Sequence, residues 1–398
     1  MRPIFSYDAV VVGAGPGGST AARTLAGAGV KTLLVEKRQE IGAAVRCGEV
    51  VGPRSVMARF IDIDESWVYQ DIDELWLFPP GGRRLTAHFP RCGMVVDRKR
   101  FDKALAIEAA RTGADVWTKA RVTGLTRTPE GIRVHIRHLG EDRTVSARVV
   151  VGADGVEFLV VRWAGIRTAL GLARVFSAVQ YPLTGVEGPS HTLRFYFGNT
   201  VAPGGYLWIF PKTGGTANVG LCLSPALQKG RRAVDYLDAF VARHFPASSS
   251  VEMVMGGIPV GGPLKTLVSD GVVLVGDAGH QVNPLSAGGI VNAMETGVMA
   301  GEVIVEALKR NDVSAQRLEA YDRRWNDRAG NLYRLHARLR RMYYKLSDAD
   351  LDRLGDRLEE QVRGRNPDDL YTFGFAASVV RSMAWMIPKF RFMVGKET

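Results

Sequence analysis

Residues 8–37 read DAVVVGAGPGGSTAARTLAGAGVKTLLVEK, and this stretch decides how the chain begins. An apolar strand over 8–12 runs straight into GAGPGG at 13–18, and the glycines at 13, 15 and 18 satisfy G-x-G-x-x-G with a strand before and a helix after. Gly13 permits the tight turn, Gly15 lets the backbone approach a pyrophosphate, and Gly18 lets the helix pack closely on the strand. Gly17 belongs to the same loop. The helix expected over about 17–28 turns its N-terminal amides and its dipole toward phosphates. KTLLVEK (31–37) then forms a second strand ending at Glu36, whose carboxylate is placed to accept hydrogen bonds from a ribose diol. A complete strand–loop–helix–strand–Glu unit is a dinucleotide site rather than a chance glycine turn.

The bulk numbers set the frame. A chain of 398 residues with 46% hydrophobic and 23% charged content is folded and long enough for two or three domains. No apolar run reaches the ~20 residues of a membrane span. Three cysteines (Cys47, Cys92, Cys222) without metal-type spacing argue against a disulfide scaffold or a metal site and for a reducing, cytoplasmic setting. The formal charge of +11 comes without a nucleic-acid motif, so nucleic acid is not the expected partner. Anionic lipid headgroups or a phosphorylated substrate suit it better, and solubility alone is the plain alternative.

FAD and NAD share the opening unit, so the dinucleotide has to be identified downstream. DGVVLVGDAGHQVNPLSAGGI (270–290) holds an apolar strand ending in Gly276–Asp277, then Pro284 and the pair Gly288–Gly289 opening a helix. This resembles the second flavin motif of the FAD-dependent hydroxylase and reductase superfamily. VVVGADG (149–155) matches its central Asp-Gly segment, and VVDRKRFD (95–102) matches its flavin-proximal arginine, here Arg98. The resemblance implies FAD, with Asp277 on the ribityl chain and the helix start at Gly288, Gly289 and Ile290 facing the flavin pyrimidine. Lys37 and Val122 complete that expected cofactor set.

The fold expected is α/β: a Rossmann-type FAD-binding domain with an inserted antiparallel β-sheet substrate domain and a helical C-terminal part. The FAD domain is expected over 1–60, 95–165 and 265–310, interrupted by a strand-rich excursion at 61–94 and a substrate sheet at 166–264. From 311 to 398 the pattern is helical. In 330–345, Leu332, Leu335, Leu339 and Met342 recur at helical spacing, with Arg334, Arg338, Arg341 and Lys345 on another face.

Two further stretches narrow the superfamily. EIGAAVRCGEVV (40–51) carries Arg46-Cys47-Gly48-Glu49 after the second strand, and PGGYLWIFPK (203–212) carries Y-x-W-x-F-P. With the Gly-Asp block they resemble the geranylgeranyl reductase family, nearest its archaeal lipid-reducing branch. Val50-Val51 stand where the family pattern leads one to expect a glycine. The resemblance covers nearly the whole chain, weakening after about residue 310. It implies a prenylated lipid substrate, with digeranylgeranylglycerophospholipid first and another prenyl compound (a diphosphate, a chlorophyll side chain, a quinone tail) second. It also adds Arg46, Cys47 and Gly48 to the cofactor-facing set.

Strand periodicity places Tyr206, Trp208 and Phe210 on one face and Leu207 and Ile209 on the other. Such a strand is either core or the wall of an apolar cavity, and the resemblance favours a wall for the prenyl chain, whose burial is favourable by ~25 cal/mol per Å². An isolated alkene has no carbonyl to polarise it. Protonation at the less substituted carbon builds positive charge on the tertiary carbon, which hydride from the reduced flavin then quenches. The rings of Tyr206, Trp208 and Phe210 would stabilise that charge through their faces. Cys47 is the candidate proton donor or redox partner, or else a small residue packed by the flavin. His280 is a second candidate shuttle, or else a solvated or helix-capping histidine. The expected catalytic set is therefore Cys47, Tyr206 and Trp208.

The electron donor expected is NAD(P)H, ferredoxin or another low-potential carrier. FGFAASVVRSMAWMIPKFRFMVGK (373–396), apolar, aromatic and basic at once, suggests peripheral contact with an anionic membrane at the inner face of the cell membrane, or a buried terminal helix. Two rival functions stand beside the reductase: a flavin monooxygenase or halogenase on the same fold, and a non-catalytic flavin-binding electron relay. A halogenase ordinarily carries W-x-W-x-I-P, which the Y-x-W-x-F-P here disfavours.

Overall fold

The first strand, Phe5–Val12, lies at the centre of a parallel sheet, paired on one side with Thr32–Val35 and on the other with Glu141–Gly152. The computed structural model describes residues 5–362, other than 169 and 229, and the stretch 373–396 lies outside them. Val10, Val11, Leu33, Leu34, Val149, Val150 and Val151 are fully buried, as an apolar strand covered on both faces must be. Strands Asp115–Trp117 and Val272–Leu274 extend this sheet in parallel at either side, and the hairpin Ala120–Thr128/Gly131–His138 hangs from Glu141–Gly152.

The helix Pro16–Gly27 opens with proline at its first turn, where the missing N–H costs nothing. It packs against the long helix Ile290–Lys309 through small residues. A Cβ on Gly297 would stand 2.5 Å from the Gly17 carbonyl oxygen, and one on Gly301 would stand 2.7 Å from Thr24 Cβ. That close crossing ties residues near 20 to residues near 300.

A second sheet stands beside the first. Its strand order runs Ser249–Ser250, Val175–Thr184, Thr216–Leu223, Tyr206–Pro211, Thr192–Tyr196, Val68–Phe78, Leu85–Val96 and Val50–Val51, with Val254–Pro259 also on Val175–Thr184. Chain from 50–96 and chain from 175–259 thus share one sheet, joined where Thr192–Tyr196 runs parallel to Val68–Phe78. Val50-Val51 form a short strand on Met94 and Val95, which accounts for β-branched residues at that position. One face of this sheet packs on the helix Ala233–His244 through Leu207, Ile209, Val219 and Leu221. The other face carries Trp208 and Phe210, which cluster with Val260 and Val282. Among the described residues no helix is long and apolar enough to cross a membrane.

Candidate functional site

Glu36 follows the second strand and accepts two backbone N–H groups, from Ala14 at 3.1 Å and Arg38 at 3.0 Å. These bonds fix its carboxylate at the rim of a cavity of about 210 Å³ whose lining includes Gly13, Gly15, Lys37, Arg46 and Val122. Lys37 is held by an ion pair with Glu157. The glycines divide by role. Gly13 takes φ +106, and a Cβ there would lie 2.3 Å from the Ala153 carbonyl oxygen; on Gly18 it would lie 1.9 Å from the Gly13 oxygen. A Cβ on Gly15 would meet nothing within 4 Å, so that glycine keeps space open at the helix start rather than avoiding a clash.

Two helix N-termini serve the site, Pro16–Gly27 and Ile290–Lys309. Each has a glycine N-cap (Gly15, Gly289), no capping side chain and no acidic residue in its first turn. Their free N–H groups and positive dipole ends are therefore available to a diphosphate and to an electron-rich ring. A Cβ on Gly289 would sit 3.3 Å from Asp277 Oδ1, so the Gly-Asp block and the helix start are in contact, while Gly288 lies exposed beside them. Burial pushes the Asp277 carboxyl up to about 6, against the lowering pull of Arg98. Asp154 of the central Asp-Gly segment spends one oxygen on the N–H groups of Leu159 (2.7 Å) and Val160 (3.0 Å) and buries the other without a partner. Empty space at Gly15, two uncapped helix starts and carboxylates at both ends fit FAD.

The Cys47–Glu49 loop continues from Arg46, which still lines that cavity, to the second sheet. Its close approach to the second sheet requires Gly48, since a Cβ there would stand 2.7 Å from the Phe210 ring. Gln180 donates to the Cys47 carbonyl (3.0 Å) and accepts from the Trp208 indole (2.9 Å); Asn218 donates to the Gly48 carbonyl (3.2 Å) and to Glu49 (2.7 Å). Glu49 is buried, takes φ +69, and gathers Asn218, Lys212 and the backbone N–H of Arg98 (3.1 Å) on its carboxylate. A non-glycine residue in that left-handed region persists only when its surroundings overdetermine it, and here three donors from three segments do so.

Arg98 forms a two-pronged ion pair with Asp102 at 2.8 and 2.9 Å, and its charge acts on both Cys47 and Asp277. Burial raises the Cys47 thiol and Arg98 moderates the rise, while the Glu49 N–H donates to its sulfur at 3.1 Å.

Tyr206, Trp208 and Phe210 do share a face, opposite Leu207 and Ile209. Trp208 stacks on Phe210 with centroids 5.9 Å apart, and Phe195 meets both Tyr206 and Phe210 edge-on. Trp208 lies across from Gly220, where a Cβ would come within 2.6 Å of the indole. Only 6% of Trp208 and 7% of Phe210 is exposed, so this face is packed as tightly as core. Tyr206 is more open and donates its hydroxyl to the Ser286 carbonyl at 2.6 Å, joining the strand to the loop before Gly288. Burial holds its phenol well above the usual range.

His280 takes the capping alternative rather than the solvated one. It ends the short turn Gly276–Gly279 in the left-handed region, but it is 2% exposed rather than solvated, tilted against Phe158, and burial drives it down to about 4. A neutral, walled-in imidazole is no shuttle to solvent. Gln180, Asn218 and Lys212 were not singled out in sequence; the available signal was a lone amide on each of two apolar strands, VFSAVQYPLT and TANVGLCL.

Residues 175–258 match the model of a geranylgeranyl reductase catalytic domain, and residues 11–60 match an NAD(P)-binding Rossmann-like domain. A digeranylgeranylglycerophospholipid reductase of Methanosarcina mazei is 42% identical over 362 residues, covering 89% of each chain. The crystal structure of a geranylgeranyl bacteriochlorophyll reductase-like protein from Thermoplasma acidophilum superposes with a TM-score of 0.90 at 33% identity, covering 98% of this chain and 99% of that one. A flavin-dependent brominase, 18% identical, shares the fold with a TM-score of 0.73 over 96% of this chain and all of that one.

Proposed function

This chain belongs to the geranylgeranyl reductase family, and from that premise we propose that it saturates the C=C bonds of geranylgeranyl chains on a glycerophospholipid. It is an FAD-dependent oxidoreductase. The observation that carries the substrate reading is the aromatic face Tyr206–Trp208–Phe210, laid directly on the Cys47–Glu49 loop at Gly48.

When bound and reduced, FAD supplies the hydride. The chain's own residues supply the rest. The apolar cluster around Trp208, Phe210, Val282 and Ile72 excludes water from the alkene. Cys47, held protonated by its surroundings, gives a proton to the less substituted carbon; the Glu49 N–H and Arg98 then stabilise the thiolate left behind. The ring faces of Trp208 and Tyr206 stabilise the positive charge that grows on the tertiary carbon. Gln180 and Asn218 keep the loop and the indole in register, so that donor and ring face the same carbon pair.

Electrons arrive from a low-potential carrier, NAD(P)H or a ferredoxin, and the lipid is reached at the surface of an anionic membrane. The test is mass spectrometry of the lipid after incubation with dithionite-reduced protein: each reduced bond adds two hydrogens. Unchanged lipid masses, or oxygen consumption coupled to hydroxylated or halogenated product, would sink the reading.

A further inference from the structure

Arg340 is buried at 3% exposure on the helix Asn331–Tyr343, and among the described residues no carboxylate neutralises it. Its guanidinium donates to the Tyr344 hydroxyl at 2.7 Å and the Ala173 carbonyl at 3.0 Å; among the described residues its Nε has no partner. Burial works against its charge, as do the cations Arg341 and Arg174, while Tyr344 and Cys222 favour it. The mostly buried guanidinium of Arg98, by contrast, is matched by Asp102. Taking a cation out of water without a counter-charge is costly, and a site that holds one is poised for an anion.

Its neighbours say which anion. The guanidinium lies 5.3 Å from the centre of the Phe176 ring and 5.1 Å from that of Tyr344. Phe176 and Tyr344 belong to the same apolar cluster as Tyr206, Trp208 and Phe210. One contiguous apolar cluster thus extends from the Cys47 loop to this arginine. Arg340 reaches up to the exposed loop Leu172–Arg174, so its charged tip sits just beneath the protein surface.

We propose that Arg340, with Arg174 on the loop above it, anchors the phosphate of the substrate's polar head while the prenyl chain lies along the aromatic face. This rests on the reading of the substrate as a prenylated phospholipid. A planar guanidinium with a free Nε–H suits phosphate oxygens, and the ring faces around it suit the first carbons of the chain.

Arg194 supplies an internal control. It too is buried with an unpartnered Nε and no carboxylate, but it pairs across the strands with Ile209, on the face turned away from Trp208.

FAD-loaded wild type, R340M and R194M are titrated with farnesyl monophosphate and with farnesol, following melting temperature. R340M is expected to weaken farnesyl monophosphate binding by at least ~10-fold, the size of a charge-assisted hydrogen bond, and to leave farnesol unchanged. R194M is expected to change neither. Equal weakening for both ligands, or none for either, overturns the proposal, because a packing role does not distinguish phosphate from alcohol. Should R340M fail to fold, R174A on the exposed loop decides: a phosphate-selective loss of ~3-fold supports the site, and no selective loss overturns it. Inorganic phosphate binding wild type as tightly as farnesyl monophosphate would also overturn it, by making this a free-anion site. No turnover is needed, so intact phosphate-selective binding without alkene reduction would sink the proposed activity alone.

Discussion

The two ends of the site are built by different means. At the Glu36 end the working groups are backbone: the N–H groups at Gly15–Gly18, glycines that keep Cβ atoms away, and one carboxylate fixed by two neighbouring amides, all within residues 13–38. At the Cys47 end they are side chains from five separated segments, around 47–49, 98, 180, 208 and 218, linked by hydrogen bonds. A local backbone site fails when geometry is filled in. A dispersed network fails more gradually, as individual partners are lost.

The largest effect expected follows from that contrast. Gly18→Ala places a carbon 1.9 Å from the Gly13 oxygen, so the strand and helix must separate, and the variant should lose both FAD and much of its melting temperature. Gly15→Ala meets open space, so it should keep the melting temperature of the cofactor-free protein yet bind FAD far more weakly. Full flavin absorbance in either variant would break the assignment of the Glu36 end.

Next is Cys47→Ser, which touches the reaction end alone. Turnover should fall by about 10- to 1000-fold with FAD content unchanged, a loss of general-acid size. Wild-type rates would return Cys47 to a packing role.

Trp208 sharpens the comparison further, because it is both wall and core. Trp208→Ala should cost ~3–5 kcal/mol and also stop reduction at partly saturated products. Trp208→Phe, which keeps the ring but strands the Gln180 carbonyl oxygen, should cost ~1–3 kcal/mol and leave the product pattern nearer wild type. Calorimetry and product masses on the same samples separate the two roles, and a stability loss with an unchanged product pattern in Trp208→Ala would mean core alone.

The smallest effect is a pH dependence at the junction of the two ends. Asp277 has its folded pKa raised by burial to about 6 from the ordinary 3.8, so it favours the cofactor-free fold below about 3.8 and loses that contribution as pH rises through 6. FAD hydroxyls need the ionised acceptor, so FAD affinity should weaken several-fold as pH falls from 7 to 5, and Asp277→Asn should flatten the curve. An unchanged slope in Asp277→Asn would remove Asp277 from the cofactor contacts.

What was legible in the chain follows the same division. The glycine loop with Glu36 and the alternation of Tyr206, Trp208 and Phe210 could be read because strand periodicity and glycine geometry are properties of neighbours in sequence, whereas the Arg46–Glu49 loop was legible only through its family resemblance. Other features required the fold. Gln180 and Asn218 are ordinary amides until strand register sets them beside Trp208 and Phe210, some 130–170 residues from the loop whose carbonyls they hold. The crossing of Gly17 and Thr24 with Gly297 and Gly301, and the pairing of Thr192–Tyr196 with Val68–Phe78, bring together segments more than 100 residues apart. The burial of His280 and Arg340 belongs with these. Local sequence dictates which backbone shapes and faces a segment adopts, but what a side chain touches depends on which distant segment is packed against that face, and only the closed tertiary structure decides that.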